Sequence, residues 1–366
     1  MKLRAGIVGP TFPLRGGIAQ HTTELAHRLD RMETDVVQLC SWSSQGPKCL
    51  TRAPEPLERP ESTLFMRMSH DLHWRHPSSW TRVGRRLAKR VDILILVMTT
   101  PLQFVALEVI ARTFRRHSTS STAQIVLIAH NVLPHERSIG SRFAAQRAMT
   151  VADRVIVHSA EQARVALTLG AKNARSATLP LHGPKPGSFH ERPFIDKELP
   201  RMRLAFFGFV RPYKGLADLI SALALTRTRP QLEVLGEFWE PIGNYAEQVE
   251  QLGLQEAVTL RPGYASESEV ADLLSRSDAL VLPYRSATGS QMPRLSFEYG
   301  LPVITSNAGD LSMQVRNGVD GLVYPAADVH ALAATIDNFY AESAWRELRN
   351  GVRPPSPCDE WANYLD

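Results

Sequence analysis

Cysteine is scarce in this chain. The three present, Cys40, Cys49 and Cys358, form neither a metal-ligand spacing nor a disulfide framework, a usage that favours a reducing compartment. Long apolar runs are missing as well: none reaches the roughly 18 to 20 residues a helix needs to cross a bilayer. The run after the basic start "MKLR" is too brief for a signal peptide and reads as a first buried strand. These absences predict a cytoplasmic protein. No G-x-G-x-x-G follows either strand that opens a domain, which leaves an oxidoreductase built on a dinucleotide poorly supported. Zinc-finger spacing, RNA-binding aromatic motifs and a helix-turn-helix signature are also lacking, so nucleic acid is not an expected partner.

What is present is ordinary in bulk and uneven in charge. The 366 residues are 43% apolar and 22% charged, enough for two domains with separate cores. Residues 1–180 hold 25 Lys+Arg against 13 Asp+Glu, whereas 181–366 hold 17 against 24. Such a split concerns partners rather than fold. The basic half could meet an anionic membrane or a phosphorylated substrate. Its densest stretches are "RVGRRLAKR" (82–90), with five cations in nine residues, and "RTFRRH" (112–117). These are either a membrane-facing surface or solvated helix faces.

Short apolar runs alternate with segments at helical spacing. "AGIVGP", "DVVQLC", "DILILVM", "QIVLIAH" and "ADRVIVHS" read as strands of the first half. Several are apolar along their whole length, as expected where helices cover both faces of a parallel sheet. Residues 41–80, rich in Pro, Ser, Trp and His, read as a long irregular excursion beside an acceptor site. Residues 181–200 hold prolines and glycines without lasting periodicity, a linker signal. The alternation then restarts at "RLAFFGFV" and continues through "QLEVLGE", "AVTLRPG", "DALVLPY", "LPVITSN" and "GLVYPA". The expected fold is α/β: two Rossmann-like, doubly wound domains, 1–180 and 201–345, facing across a cleft into which strand carboxyl ends open.

Polar residues at those strand ends are the candidates for chemistry. In "FFGFVRPYKGL" Arg211 and Lys214 flank Pro212 and Tyr213, so a guanidinium fork and an ammonium can reach one anion, and a diphosphate suits that pair. Surface cations extending from a strand–helix loop are the plainer alternative. In "GPTFPLRGGIAQHT" Gly16 and Gly17 precede a helix, where glycine admits close backbone approach and free N–H groups attract anions. A tight turn alone would also need glycine there. His21 follows one turn on, either as a contact or as surface. In "LIAHNVLPHE" His130 ends a strand, with Asn131, His135 and Glu136 beyond it. The spacing of these histidines lacks the H-E-x-x-H geometry of a metal site. Thr288, Gly289 and Ser290 form a polar turn after another strand, with a helix expected from about Ser290 and Pro293 in its first turn. Glu298 falls in that helix's last turn, where a carboxylate opposes the dipole. It is either exposed or kept as a polar contact.

The "GG" loop, "HN" at a strand end, "RPYKG", and "YGLPVITSNAGD" running on to "VRNGVDGLVYP" occur in an order that resembles a known family. The chain is similar, along essentially its whole length, to the retaining nucleotide-sugar-dependent glycosyltransferases of family 4, with GT-B architecture. The resemblance implies an N-terminal acceptor domain and a C-terminal nucleotide-sugar domain. It also implies final helices (346–366) that pack back on the N-terminal domain. By the same resemblance, Gly16 and Gly17 lie near donor phosphate and acceptor, and His130 approaches the donor sugar. Arg211 and Lys214 hold the diphosphate, while Thr288, Gly289, Ser290 and Gln291 contact donor sugar and phosphate. His21, Asn131, His135, Glu136 and Glu298 are left as acceptor or supporting positions. A nucleoside diphosphate sugar is implied as co-substrate and a glycan or polyprenyl-linked molecule as acceptor. No cofactor or metal is implied, and no D-x-D-like acidic pair stands at a suitable strand end. One departure is plain. The family's two glutamates, eight positions apart, fall here at Ala287 and Leu295. A non-catalytic sugar- or nucleotide-binding partner in glycan assembly is the alternative that this departure suggests.

Overall fold

The computed structural model describes residues 3–14, 16–32, 34–43, 65, 67–133, 140–180, 202–287, 290–342, 344–353 and 361–364. Two compact units emerge, Met1–His182 with Cys358–Asp366, and Gly183–Pro357.

The first unit is a parallel sheet of seven strands: β1 (Leu3–Val8), β2 (Thr34–Trp42), β3 (Met68–Leu72), β4 (Ile93–Met98), β5 (Gln124–Ala129), β6 (Arg154–Val157) and β7 (Ala174–Ser176). Their spatial order is β3-β2-β1-β4-β5-β6-β7, so chain direction across the sheet reverses between β1 and β4. Helices α1 (Gly17–Arg31), α2 (Pro77–Ala88), α3 (Phe104–His117), α4 (Ser141–Met149) and α5 (Ala160–Thr168) make the crossovers. The central β4, "ILILVM", is buried at five of six positions because helices cover both its faces. Leu94 and Leu96 are fully enclosed, and burial of each such side chain contributes about 1.5–3 kcal/mol.

Helix α2 shows how the basic stretch folds. Trp80, Val83, Leu87 and Ala88 recur at helical spacing and face the core, while Arg82, Arg85, Lys89 and Arg90 stay exposed. Arg86 instead turns inward and donates to Asp71 on β3 at 2.5 Å. Gly84 lets α2 lie close to α3. A Cβ there would come within 2.8 Å of the Ile110 carbonyl oxygen and 2.9 Å of Thr113 Cβ.

The second unit repeats the plan with six strands: β8 (Arg203–Phe207), β9 (Gln231–Gly236), β10 (Val258–Pro262), β11 (Ala279–Leu282), β12 (Val303–Ser306) and β13 (Gly321–Tyr324). The order is β10-β9-β8-β11-β12-β13, with the reversal between β8 and β11. Around it lie α6 (Leu216–Leu225), α7 (Ile242–Gln251), α8 (Glu267–Arg276), α9 (Met292–Glu298), α10 (Val329–Tyr340) and α11 (Ala344–Gly351). Ser266 and Glu269 close a reciprocal capping box on α8, and the Asp328 carboxylate accepts from Ala331 N at 2.9 Å to start α10.

Two expectations need correction. Residues 67–80 are not irregular: they contain β3 and the start of α2. The polar "MSHDL" hides a strand because, among the described residues, β3 is an edge paired only with β2, with no second neighbour requiring an apolar repeat. The return to the first unit also comes later than residue 346. Trp345 and Leu348 of α11 pack with Leu204, Leu219 and Ile336 in the second unit's core. Only Cys358–Asp366 groups with the first, where Trp361 and Tyr364 join Ile7, Leu25 and Ile128.

Candidate active site

In each unit the candidate residues gather at strand carboxyl ends beside the reversal, where two crossovers leave in opposite directions and open a crevice. In the second unit the chain leaves β8, passes Arg211, and makes one 3₁₀ turn over Pro212–Lys214. Gly215 then adopts φ +70° to enter α6. Only glycine serves there, because a Cβ would sit 1.9 Å from the Pro283 carbonyl oxygen. That close approach joins the loop after β8 to the loop after β11. Arg285 N donates to the Tyr213 carbonyl oxygen at 2.7 Å, and its guanidinium clasps Asp218 of α6 at 2.6 and 2.7 Å.

The two cations are therefore placed by backbone. The Arg211 guanidinium lies over the Trp239 ring, 4.4 Å from its centroid, a stacking contact that orients the fork. Lys214 Nζ lies 5.2 Å from the Tyr284 ring centroid and would be 3.1 Å from a Cβ at Gly208. Desolvation draws the Lys214 pKa below its ordinary value, and no carboxylate pairs with it among the described residues. An ammonium so placed is destabilised until an anion arrives.

Ser290 lies in the same loop region, its hydroxyl accepting from Met292 N at 3.2 Å. The helix expected there begins at Met292, after Gln291, with Pro293 in its first turn. Thr288 and Gly289 lie outside the described residues. Glu298 is exposed at the end of α9; partial desolvation raises its pKa and Arg294 opposes the rise. Ala287 and Leu295, the positions at which the resemblance would place glutamates, both pack against the apolar cluster of Leu282, Val303 and Leu311. At 295 an apolar contact stands in place of a carboxylate.

In the first unit Gly16 precedes α1 with φ +114°, a conformation that favours glycine. Gly17 has no such requirement, and a Cβ there would meet nothing within 4 Å. His21 is fully buried rather than on the surface. Its ring stacks on Trp361 at 5.6 Å and meets His130 edge-on at 5.0 Å. His130, 8% exposed, follows β5 directly, and its backbone N–H donates to Met98 O at 3.1 Å. Asn131 turns its amide to the Thr99 carbonyl oxygen at 3.3 Å. His135 and Glu136 lie outside the described residues.

Three neighbours went unnoticed at the level of sequence. His158 ends β6 as His130 ends β5, and its Nε2 lies 3.1 Å from His130 Nδ1. The signal that singled out His130, a polar residue closing an apolar strand, applies equally to it. Trp239 and Tyr284 follow β9 and β11, but nothing in a lone aromatic announces that it backs a cation. Among the described residues no group of three or more His, Cys, Asp or Glu could hold a metal ion. The paired histidines turn ring nitrogens toward each other, not toward a shared centre.

This geometry can be set beside known proteins. D-inositol 3-phosphate glycosyltransferase of Thermobispora bispora is 26% identical over 211 residues, covering 52% of this chain and 48% of the relative. Glycogen synthase of Mycobacterium tuberculosis is 30% identical over 152 residues, covering 40% and 36%. The chain thus spans about half or less of the length of these curated relatives. Among solved structures, HepE of Anabaena in complex with UDP and glucose superposes with a TM-score of 0.71 at 14% identity, covering 98% of this chain and 95% of that one. The lipopolysaccharide outer core galactosyltransferase WaaB in its apo form gives 0.70 at 14%, covering 99% of each. Residues 201–342, which carry Arg211 and Lys214, match the family model described as Glycosyl transferases group 1, and the two-unit fold is that of the GT-B glycosyltransferases.

Proposed function

We propose that this protein is a retaining, metal-independent glycosyltransferase of family 4. It would move a hexose or related sugar from a nucleoside diphosphate donor to a glycan or lipid-linked acceptor, in synthesis of a cell-surface polysaccharide or glycolipid. The observation that carries this reading is Lys214, a half-buried ammonium without a carboxylate partner among the described residues, set beside the stacked guanidinium of Arg211. Structural neighbours solved with UDP and UDP-glucose support a nucleotide sugar as the ligand.

Breaking the anomeric C–O bond leaves negative charge on the diphosphate. Arg211 and Lys214 stabilise that charge where it grows, so they act on the transition state more than on the bound donor. A leaving phosphate oxygen assists deprotonation of the acceptor hydroxyl on the same face, which gives retention without a protein nucleophile. His130 approaches the donor sugar, while Gly16 and Gly17 admit phosphate or acceptor to the backbone. Purified protein incubated with a panel of nucleoside diphosphate sugars and candidate acceptors should form a glycosylated product with retained anomeric configuration. Inversion would sink the retaining mechanism.

A second reading rests on Ala287 and Leu295, which stand where the family places glutamates: a sugar- or nucleotide-binding partner without turnover. Donor binding with neither hydrolysis nor transfer across the panel would favour it.

We place the protein in the cytoplasm, resting on the inner leaflet through the exposed cations of α2. Among the described residues no helix is long and apolar enough to cross a membrane. The apolar face of α2 is spent on the core, so this contact would be electrostatic alone.

A further inference from the structure

Three histidines of the first unit come from different elements: the buried His21 from α1, the buried His130 from the end of β5, and the half-buried His158 from the end of β6. Two of them share a defined ring-to-ring hydrogen bond, and its direction can be deduced. His158 Nδ1 lies 3.4 Å from the Ala177 carbonyl oxygen. A carbonyl can only accept, so Nδ1 of His158 carries the proton. A neutral imidazole has one N–H, which leaves His158 Nε2 as an acceptor. That nitrogen faces His130 Nδ1 at 3.1 Å, so His130 Nδ1 must donate. The lone pair of a neutral His130 is then on Nε2.

The deduction holds while His158 is neutral. Burial pulls its pKa down to about 4. Among the described residues the titratable groups around it are the His130 and His21 rings and the Tyr364 phenol, with no carboxylate among them to favour the cation. The backbone on either side is also fixed. Ser159 caps α5 by accepting from Gln162 N at 3.1 Å, and Ala177 N donates to Val157 O at 2.8 Å.

We infer that His158 is a positioning residue, which holds His130 as the Nδ1–H tautomer and so makes His130 Nε2 a hydrogen-bond acceptor suited to a sugar or acceptor hydroxyl rather than to a phosphate oxygen. The tautomer follows from the first unit alone. Its use on a hydroxyl rests on the glycosyltransferase reading. His130 thereby reads a hydroxyl, leaving phosphate to Arg211 and Lys214.

The test is long-range nitrogen–proton NMR of the imidazoles in the full ¹⁵N-labelled chain without ligand, near neutral pH, assigned with single histidine variants. His130 and His158 should both be Nδ1–H. In His158→Phe, which offers no acceptor, His130 should shift toward the Nε2–H form. In His158→Gln, whose amide can accept from His130 and donate to Ala177, the parent tautomer should persist. With substrates, His158→Phe should lower kcat/KM roughly tenfold, the kinetic equivalent of one neutral hydrogen bond, and His158→Gln should recover most of that loss. An Nε2–H tautomer of His130 in the parent chain overturns the inference, even if His158→Phe fails to fold. So does a released tautomer in His158→Phe with unchanged kcat/KM. Absence of turnover in the parent with the Nδ1–H tautomer present would instead count against the glycosyltransferase reading.

Discussion

Gly16 and Gly17 look alike in sequence, and the backbone separates them. Gly16 adopts φ +114° and is explained by conformation. Gly17 begins α1, is exposed, and would accept a Cβ with nothing within 4 Å, so the fold alone gives no reason for glycine there. If substrate approaches this backbone, Gly17→Ala should keep or slightly raise stability, since alanine is better than glycine in a helix by up to about 1 kcal/mol, while lowering turnover. Thermal unfolding together with kcat/KM decides. Parent-like turnover would show that Gly17 only lies beside a turn. At this scale the sequence was legible in placement: Arg211, Lys214 and His130 do lie just beyond apolar strands. It was illegible where meaning depends on a neighbour. His21 falls on a helix start that resembles surface, yet Trp361, more than 300 positions away, covers it.

At the scale of elements, what positions the site is one close backbone contact. Gly215 against Pro283 holds the 3₁₀ turn of Arg211–Lys214 to the loop after β11. Gly215→Ala meets both an unfavourable left-handed backbone, costing about 1–2 kcal/mol, and a direct clash with Pro283. The loop must move, and Lys214 with it. The expected outcome is a lower unfolding midpoint together with weakened nucleoside diphosphate binding. A destabilised variant with parent affinity would show that the turn's placement does not matter to the ligand. The alternation of apolar runs revealed nearly every central strand, because each must be apolar on both faces. It missed β3 and β7 at the sheet edges, where β3 is polar and β7 has three residues. The cation–π supports from Trp239 and Tyr284 were hidden for a related reason: they come from other strand ends than the cations they support.

Over the whole molecule, charge divides as the units do, with the excess of cations in the first half. Structure narrows that excess. Arg86 pairs with Asp71, Arg112 with Glu108, and Arg115 with Asp153, whereas Arg82, Arg85, Lys89 and Arg90 of the α2 region form an exposed group with no ion pair among the described residues. Each cation near an anionic bilayer contributes about 1 kcal/mol. The protein should therefore float with anionic liposomes at low salt and be released at high salt, and neutralising Arg82, Arg85 and Lys89 should abolish flotation. Sedimentation free of lipid at low ionic strength would remove the membrane from the account. The central claim concerns the other unit, namely that Arg211 and Lys214 hold the diphosphate of the donor. Isothermal titration of the parent, Arg211→Ala and Lys214→Ala with a panel of nucleoside diphosphates and their sugars tests it most directly. The account predicts saturable binding of at least one member without added metal, weakened in each variant by roughly 1.5–3 kcal/mol, the worth of a charge-assisted contact. No binding across the panel, or parent affinity in both folded variants, would contradict it.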